Sequence, residues 1–399
     1  MPDISILFDR SETDELGIRK TADEMGIELG FLPFYKVSIG FDENNLTFKS
    51  VGKNYTKDLN ITKVVLNRTQ SKSRRIYATT VLEAAGKRVL NPSNVELTCQ
   101  SKLRTLLTIR NNGIRIPKSV YVPCNPKELS FTNNMPHDNT DTICELIRSH
   151  INDESIVLKP DAGTHGRGIS LAENSRELFE NVSNIESSII NPVGVLAQEL
   201  IPKWFFDLRI ITSKEAGKKA HCAENVLVRA GFKDFRTNTF LGNMVFRAKL
   251  PEKTRFEAAK CGASIAGTSD AWVIALDAMP VFGEDKIIDD SELIHHFSLL
   301  EEPFSTVKKV KKSPKKKIEF DSYTKEIELA YSEYMSTEDY IFIQDIIQDS
   351  LDRIGNDIVF HEGNSCPEFW EQTRIVAGVN VAEYLLEVAE SILDSGEIS

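Results

Sequence analysis

The chain has 399 residues, enough for two or three domains, and 41% of them are hydrophobic while 27% are charged. This composition supports substantial hydrophobic cores and excludes a wholly disordered chain. The net charge of −11 argues against a general nucleic-acid coat protein, and we expect no nucleic-acid partner. One segment is strongly basic in this acidic chain, because Lys308–Lys317 reads KKVKKSPKKK.

The N-terminus and the cysteines both argue against secretion. MPDISILFDR carries Asp3 where a signal peptide has a basic region, and its apolar run is too short. No segment approaches the ~18 apolar residues of a membrane span, so we expect no membrane partner. The six cysteines are scattered without a Cys-x-x-Cys pair, which favours reduced thiols over disulfides or a zinc ribbon. The sequence therefore predicts a cytoplasmic protein.

Strand and helix patterns alternate through the first ninety residues. Short apolar strands are predicted at 4–8, 64–66 and 88–90, and helices at 13–25 and 77–85. Such alternation indicates a parallel sheet covered on both faces, as in open α/β domains. A further helix over 95–111 and a strand over 116–123 follow.

A glycine loop lies between two predicted strands in the next part of the chain. The first strand ends at Lys159, the loop reads DAGTHGRG over 161–168, and the second strand covers 169–171. Strand, glycine loop and strand together predict a β-hairpin lid. The spacing of its glycines also fails the G-x-G-x-x-G order of a dinucleotide-binding turn. Two more strands are predicted over 197–201 and 207–211.

The C-terminal part contains a candidate metal site. Tyr340–Gln348 (YIFIQDIIQ) predicts a strand that carries Asp345, and 357–362 predicts its return strand. Residues two apart on a strand share a face, so Glu362 and Asn364 point the same way, and an aspartate on the partner strand can meet them. Two carboxylates and an amide oxygen suit a Mg²⁺ ion that bridges substrate phosphates. An amphipathic helix over 379–393 follows.

Taken in order, these segments resemble the ATP-grasp ligases of the RimK-like branch. That branch includes the ribosomal-protein glutamate ligases and the ligases that act on an amino-group carrier protein in lysine and arginine biosynthesis. The resemblance rests on an ordered set of motifs: ILFDR (6–10), VVLNRTQSKSR (64–74), NPSNVELTCQSKLRT (91–105), GIRIPKS (113–119), IVLKPDAGTHGRGISL (156–171), QELIPKWFFDLRI (198–210), DFRTN (234–238), EGNSCPEF (362–369) and AGVNVAEYLLEVA (377–389).

The resemblance implies an α/β protein with the ATP-grasp fold. That fold comprises an N-terminal Rossmann-like pre-ATP-grasp domain, a central domain, a β-hairpin lid and a C-terminal metal-binding domain. We place the first domain at 1–95, the central part with the lid at 96–211, and the C-terminal domain at 212–399. The last contains an insertion at about 244–320 for which the family suggests no role. Acceptor recognition, an oligomer contact and a surface embellishment all remain open for it.

The family's site residues can be carried over position by position. Lys102 falls where the family has the lysine of an Asp-Lys pair, although Ser101 replaces the acidic residue. In the lid loop, His165 or Arg167 could contact phosphate or simply be exposed. The nucleotide set implied by the resemblance is Lys102, Lys159, Gly163, Thr164, Gly166, Gly168, Glu199, Leu200 and Asp207. The catalytic set that would stabilise the transferring phosphoryl group is Arg209, Arg236 and Asn238.

For the metal, the resemblance favours Asp345, Glu362 and Asn364, because the Asp-Ile-Ile at 345 matches the family's aspartate followed by two apolar residues. Asp349, four residues further along the chain and on the same face of the predicted strand, is an alternative. Asp277 ranks third, because its use would need a shorter second domain than the chain suggests.

The implied reaction is the Mg-ATP-dependent, ADP-forming ligation of a carboxylate to an amine through an acyl phosphate. A glutamate-like amino acid is the expected substrate, and the acceptor is an amine or carboxylate compound, including an acidic peptide or carrier protein. ATP with Mg²⁺ or Mn²⁺ is the expected cofactor set, and a homo-oligomer is expected. The alternatives are a small-molecule kinase that phosphorylates without ligation, and a nucleotide-binding module without turnover.

Overall fold

The structure is a computed structural model that describes residues 2–10, 12–43, 45–127, 139–163, 166–185, 194–237, 242–283 and 286–396. Thr164, His165 and Asn238 of the predicted site lie outside these residues. All six cysteines are described and all are free thiols, as their spacing predicts. No helix in the described ranges is long and apolar enough to cross a membrane.

The N-terminal domain is built on a parallel four-stranded sheet, as the alternating pattern predicts, with a small antiparallel sheet beside it. The parallel sheet has the strand order β2-β1-β6-β7, and β3-β4-β5 form the antiparallel one. In chain order the elements are β1 (Ile4–Phe8), α1 (Thr13–Met25), β2 (Leu29–Pro33), β3 (Val37–Phe41), β4 (Leu46–Ser50), β5 (Lys53–Asn54), α2 (Thr56–Ile61), β6 (Val64–Asn67), α3 (Lys72–Ala84) and β7 (Arg88–Leu90).

The second unit is an antiparallel sheet that contains the predicted lid hairpin. Its order is β10-β9-β11-β8, and it packs around a hydrophobic cluster of its own. The helix predicted over 95–111 is two helices, because the backbone is extended at Ser101. The elements are α4 (Ser93–Gln100), α5 (Lys102–Asn111), β8 (Ser119–Val122), α6 (Thr140–His150), β9 (Ile156–Lys159), β10 (Ser170–Ala172), α7 (Ser175–Ser183) and β11 (Val195–Glu199).

The third unit is a six-stranded antiparallel sheet with the order β15-β14-β12-β16-β17 and β13 beside β12. The domain boundary predicted at residue 211 falls inside β12 and is therefore misplaced. The predicted insertion is also misplaced at its start, because 244–280 forms two strands of this sheet and the helix between them. The elements are β12 (Phe206–Lys214), β13 (His221–Cys222), β14 (Asn225–Ala230), β15 (Met244–Lys249), α8 (Glu252–Ala266) and β16 (Trp272–Pro280).

Between β16 and the last strand the chain forms a helical layer. Its interior is aromatic, with Phe246 of β15 stacked on Tyr340 and in contact with Tyr334 and Phe297. The elements are α9 (Asp290–Leu299), α10 (Glu301–Lys311), α11 (Lys315–Ile318), α12 (Phe320–Met335), α13 (Glu338–Ile354), β17 (Ile358–Asn364) and α14 (Val381–Gly396). The long helix α14 packs on both α1 and the large sheet, so the first and third units share one core.

The strand predicted over 340–348 is wrong, because this segment belongs to α13. Thr337 caps the helix by accepting a hydrogen bond from the backbone N–H of Tyr340 at 3.2 Å. Residues 340, 343, 347 and 351 are buried at helical spacing, whereas Asp345 and Asp349 are exposed on the opposite face. The β-branched composition of the segment suggests a strand, but the burial of one helical face determines its structure.

Candidate active site

A cavity of about 600 Å³ lies between the lid sheet, the large sheet and the start of α3. Among the described residues that line it, ten carry a cationic side chain and five a carboxylate. A cavity with excess positive charge in a chain of net charge −11 is suited to a polyanion such as a nucleoside triphosphate.

Cross-strand ion pairs form the floor of the cavity. The ladder places Asp207 of β12 opposite Arg229 of β14, and Arg209 of β12 opposite Asp277 of β16. Arg209 donates two hydrogen bonds of 3.0 Å to the two oxygens of Asp277, and Arg229 Nε lies 2.6 Å from Asp207. Residues 207 and 209 share a strand face, as their spacing predicts. The floor of the cavity therefore holds fixed charges of both signs.

The arginines determine the ionisation of Asp277. Burial opposes its charge, but Arg209 and Arg229 hold the pKa of Asp277 well below its usual range. Burial likewise opposes the charge of Asp207, and Arg229 and Lys203 hold the pKa of Asp207 below its usual value. Both carboxylates are therefore ionised at neutral pH and available to interact with cations.

Lys159 lies at the lid side of the cavity, at the end of β9, where the sequence places it. Burial, reinforced by the charge of Lys102, lowers the pKa of Lys159 to about 8. The Lys102 ammonium donates to the carbonyl of Gly163 at 3.2 Å. A buried ammonium without enough counter-charge is stabilised by an anion, so this corner of the cavity favours phosphate.

The lid loop contacts both neighbouring units. Gly166 and Gly168 have φ of +70° and +72°, a backbone conformation that favours glycine. Arg236 donates to the carbonyl of Gly166 at 3.1 Å and thereby connects the lid to the large sheet. Arg167 is exposed at the rim of the cavity. Of the predicted lid glycines, Gly163 and Gly166 line the cavity.

A lid residue also replaces the acidic partner that the sequence lacks before Lys102. Asp161 accepts hydrogen bonds from the Ser101 hydroxyl at 2.8 Å and from the backbone N–H of Leu103 at 2.9 Å. Its carboxylate therefore lies at the N-terminus of α5, where negative charge is favourable. At the other wall, Glu199 at the end of β11 and Leu200 directly after it line the cavity. The Glu199 carboxylate accepts from the backbone N–H of Lys118 at 2.7 Å.

The candidate metal set differs from the predicted one in its first member. Asp345 is exposed on α13 and does not line the cavity, and the same holds for Asp349. Asp277, ranked third by the sequence, lies directly opposite Glu362 in the pairing of β16 with β17. The Asn364 amide lies 3.5 Å from Asp277. The sequence ranks Asp277 last because it assigns 244–280 to an insertion, whereas this segment contributes β16, an interior strand of the large sheet.

Glu362, Asn364 and Asp277 offer oxygens of the kind that Mg²⁺ binds. No group of three or more His, Cys, Asp or Glu side chains suited to a metal occurs in the described part of the chain. Two carboxylates and an amide oxygen nevertheless fit Mg²⁺, which commonly takes one or two carboxylates together with substrate phosphates. The Glu362 carboxylate has cationic protein partners, because the ammonium groups of Lys72 and Lys102 lie 3.7 and 3.8 Å from it.

The structure adds charged or titratable cavity residues to which the sequence assigns no role. Lys203 donates to Thr237 at 2.6 Å, and burial lowers the pKa of Lys203 to about 8. His361 precedes Glu362, and burial together with Lys159 lowers its pKa to about 4. Arg229 is a charged residue within the apolar strand β14 (NVLVRA), which could have identified it, whereas the positions of Lys72 and Lys311 depend on helix packing. The added lining residues are Lys72, Lys203, Arg229, Lys311 and His361.

The N-terminal domain fixes the loop that follows β17. Arg75 donates to Glu96 at 2.8 Å, and Glu96 accepts from the Ser365 hydroxyl at 2.7 Å. Arg68 donates to the carbonyl of Pro367 at 3.2 Å. These buried contacts hold residues 365–368 in the wall of the cavity.

No protein-family model matches the chain. In sequence it is 24% identical over 265 residues to an alpha-aminoadipate–LysW ligase, LysX, of Sulfurisphaera tokodaii, covering 66% of this chain and 81% of that relative. A LysX of Saccharolobus solfataricus is 22% identical over 249 residues, covering 62% of this chain and 79% of that relative.

Solved structures resemble the chain over nearly its whole length. The D-Ala:D-Ser ligase VanG of Enterococcus faecalis superposes with a TM-score of 0.53 at 11% identity, covering 97% of this chain and 99% of that one. The ATP-grasp ligase PsnB complexed with minimal precursor gives 0.51 at 10% identity, covering 97% and 98%. The chain thus has the ATP-grasp fold, resembles the RimK-like ligases in sequence, and is an ATP-dependent, ADP-forming carboxylate–amine ligase.

Proposed function

We propose that this ligase activates the carboxylate of a glutamate-like amino acid as an acyl phosphate and joins it to an amine on a peptide or carrier protein. The observation that carries the proposal is the convergence of Lys159, Arg209, Asp277 and Glu362 on one cavity with excess positive charge. The LysX relatives are named as ligases of alpha-aminoadipate and LysW, and PsnB is complexed with a precursor. Both names support an acceptor of peptide or protein character.

In the proposed site, Lys159, Lys102 and the lid glycines bind the ATP phosphates. Glu199 and Leu200 provide the adenine-facing edge, and Asp207 positions the nucleotide with Arg229. Thr164 and Asn238 lie outside the described residues, and their roles stay predictions.

Asp277, Glu362 and Asn364 would hold Mg²⁺, which when bound offsets the charge of the phosphates. Binding would exchange the contacts these oxygens have with arginine and lysine for contacts with the metal. Asp345, the ligand that the sequence favours, is not part of this proposed set.

In the proposed reaction, one carboxylate oxygen of the substrate attacks the γ-phosphorus, and the bond from that phosphorus to the bridging oxygen of ADP breaks. The amine nitrogen then attacks the acyl carbon, phosphate leaves, and the amine loses a proton. Arg209 and Arg236 stabilise the charge on the transferring phosphoryl group. The lid covers the cavity and excludes water, which would hydrolyse the acyl phosphate. The homo-oligomeric state stays a prediction.

The test is an ADP-release screen of the purified protein with Mg-ATP, amino acids and hydroxylamine. Hydroxylamine attacks an acyl phosphate to give a hydroxamate and phosphate, so a ligase produces both ADP and hydroxamate. We expect both products to depend on an added carboxylate. ADP release without hydroxamate would instead indicate a kinase, and no ADP with any carboxylate would refute the proposed function.

A further inference from the structure

The strand β17 ends at Asn364, the last member of the candidate metal set. In the pairing of β16 with β17, Asn364 lies opposite Ala275. The same register would place Val273 opposite Cys366, but β17 has ended before that position. The buried backbone groups of Val273 therefore need other partners on this edge, since buried N–H and carbonyl groups are almost always hydrogen-bonded.

Asn91, which directly follows β7, supplies these partners through its side-chain amide. The Asn91 oxygen accepts from the backbone N–H of Val273 at 2.9 Å, and the Asn91 nitrogen donates to the carbonyl of Val273 at 2.7 Å. The same nitrogen donates to the carbonyl of Ser365 at 2.8 Å. An amide that bonds both backbone groups of one residue takes the place of an antiparallel strand partner. Asn91 thus continues the edge of β16 and connects it to the residue after β17.

A second contact holds Ser365 by its side chain. The Ser365 hydroxyl donates to Glu96 at 2.7 Å, and Arg75 donates to the same carboxylate oxygen at 2.8 Å. Arg75 also donates to the carbonyl of Thr69 at 2.8 Å. Asn91, Glu96 and Ser365 are all buried, so water competes little for these bonds. Ser365 is therefore fixed at both its carbonyl and its hydroxyl.

The fixed position of Ser365 constrains the residue before it. Asn364 is the last residue that β17 pairs with β16, and the end of a strand is otherwise free to fray. The Asn364 amide lies 3.5 Å from Asp277. Functional side chains have to be held within about 0.5 Å of their working positions, which requires support from the residues around them. Asn91 provides this support at the end of β17.

We propose that Asn91 is a positioning residue for the candidate metal ligand Asn364. The inference rests on the proposed function, because it assumes that Asn364 belongs to the set that holds Mg²⁺. By joining β16 to the residue after β17, Asn91 fixes the strand that carries Asp277 relative to the end of the strand that carries Asn364. The N-terminal domain thereby acts on metal binding through the backbone of the large sheet.

The test measures ADP binding by calorimetry with and without Mg²⁺ in the wild-type protein and in Asn91→Ala. We expect the same ADP affinity without Mg²⁺ in both proteins. The gain in ADP affinity on adding Mg²⁺ should be about tenfold smaller in Asn91→Ala, because partners that orient metal ligands contribute to metal affinity by about this factor. The Mg²⁺ concentration for half-maximal ADP formation should rise by a similar factor.

Asn94→Ala is the matched control, three residues further along the chain. The Asn94 amide donates to the carbonyl of Ala266 at 2.8 Å and accepts from the Ser269 hydroxyl at 3.0 Å. It therefore also joins this segment to the third unit, but at the end of α8. Asn94→Ala should keep the wild-type gain in ADP affinity with Mg²⁺.

A double-mutant cycle with Asn364→Ala separates positioning from support of the fold. If Asn91 acts through Asn364, then Asn91→Ala should cost little further Mg²⁺-dependent affinity once Asn364 is alanine. Equal losses in both backgrounds, or equal losses of ADP affinity with and without Mg²⁺, would overturn the inference. A wild-type gain in Asn91→Ala would overturn it as well.

Asn91→Ser keeps a small polar side chain and serves as the second variant should Asn91→Ala fail to fold. It should show a loss in the same direction, and an unchanged gain with Mg²⁺ would count against the inference. A wild-type protein that binds ADP equally with and without Mg²⁺ would instead refute the proposed metal set, on which the inference depends. No ADP release with any carboxylate would refute the proposed reaction.

Discussion

Raising the pH from 7 to 9 should weaken ATP binding about tenfold through Lys159. Its ammonium has a pKa of about 8 in the free protein, because burial and Lys102 disfavour its charge. The phosphates of ATP would stabilise the charged form, so binding requires the protonated lysine. With that pKa, nearly all of Lys159 is charged at pH 7 and roughly a tenth at pH 9, which corresponds to about 1.4 kcal/mol.

The lowered pKa of Lys159 also affects the stability of the free protein. As pH rises, this effect is opposite in sign to the effect on ATP binding. The pKa of Lys159 is 10.5 in its ordinary state and about 8 in the fold. Between these values the unfolded chain binds more protons than the folded chain, so the contribution of Lys159 to stability rises with pH across this window. Nucleotide affinity and the stability of the free protein should therefore change in opposite directions as pH rises above 8.

The assay is a titration of ATP binding from pH 7 to 9.5, with calorimetry in buffers of different ionisation enthalpy to detect proton uptake. Lys159→Arg should flatten the profile, because a guanidinium stays charged throughout. Lys203 also has a pKa of about 8, so Lys203→Arg is the necessary control. This variant should retain most of the dependence of ATP affinity on pH. An affinity that is constant across the range, or a slope that Lys159→Arg leaves unchanged, would refute the reasoning.

Three substitutions test the metal set. Glu362→Gln should lower ADP formation by about 100-fold or more with an unchanged far-ultraviolet circular dichroism spectrum; retained activity would remove Glu362 from the site. Asp277→Asn should abolish activity and also lower the free energy of unfolding by about 3 kcal/mol in a denaturant titration, because it weakens the pairing of two arginines. Asp345→Asn should leave ADP formation unchanged and the free energy of unfolding within about 0.5 kcal/mol of the wild-type value, because Asp345 is exposed. A large loss of ADP formation in this variant would restore Asp345 as the metal ligand that the sequence favours.

The lid and the parallel sheet were predictable because their signals are local. Gly166 and Gly168 adopt positive φ in a loop between two short apolar strands, and each feature is visible within about fifteen residues. The metal set was harder, since Asp277 and Glu362 are cross-strand neighbours separated by the helical layer. Only the pairing of β16 with β17 reveals their proximity, and a single sequence contains no direct signal for that pairing.

The Asp345 assignment shows how composition and periodicity can disagree. Isoleucine, phenylalanine and tyrosine dominate 340–347, which favours a strand by propensity. Their burial at 340, 343, 347 and 351 follows a helical repeat that extends beyond the apparent strand to the Gly355 cap. The longer pattern determines the structure, because most helix stability comes from burying one amphipathic face. On that helix the aspartates necessarily face solvent.

The lysine run illustrates the same point for charge. In α10, Phe304, Val307 and Lys311 follow at intervals of three and four, so they share the face that the core buries. Lys309 falls on the opposite face and is exposed, and Lys312, directly after the end of the helix, is exposed as well. The aliphatic stem of Lys311 follows the apolar face while its ammonium reaches the cavity. Whether a lysine of this run lies in the cavity or in solvent therefore depends on its position in the helical repeat. The net charge of the run does not determine its location.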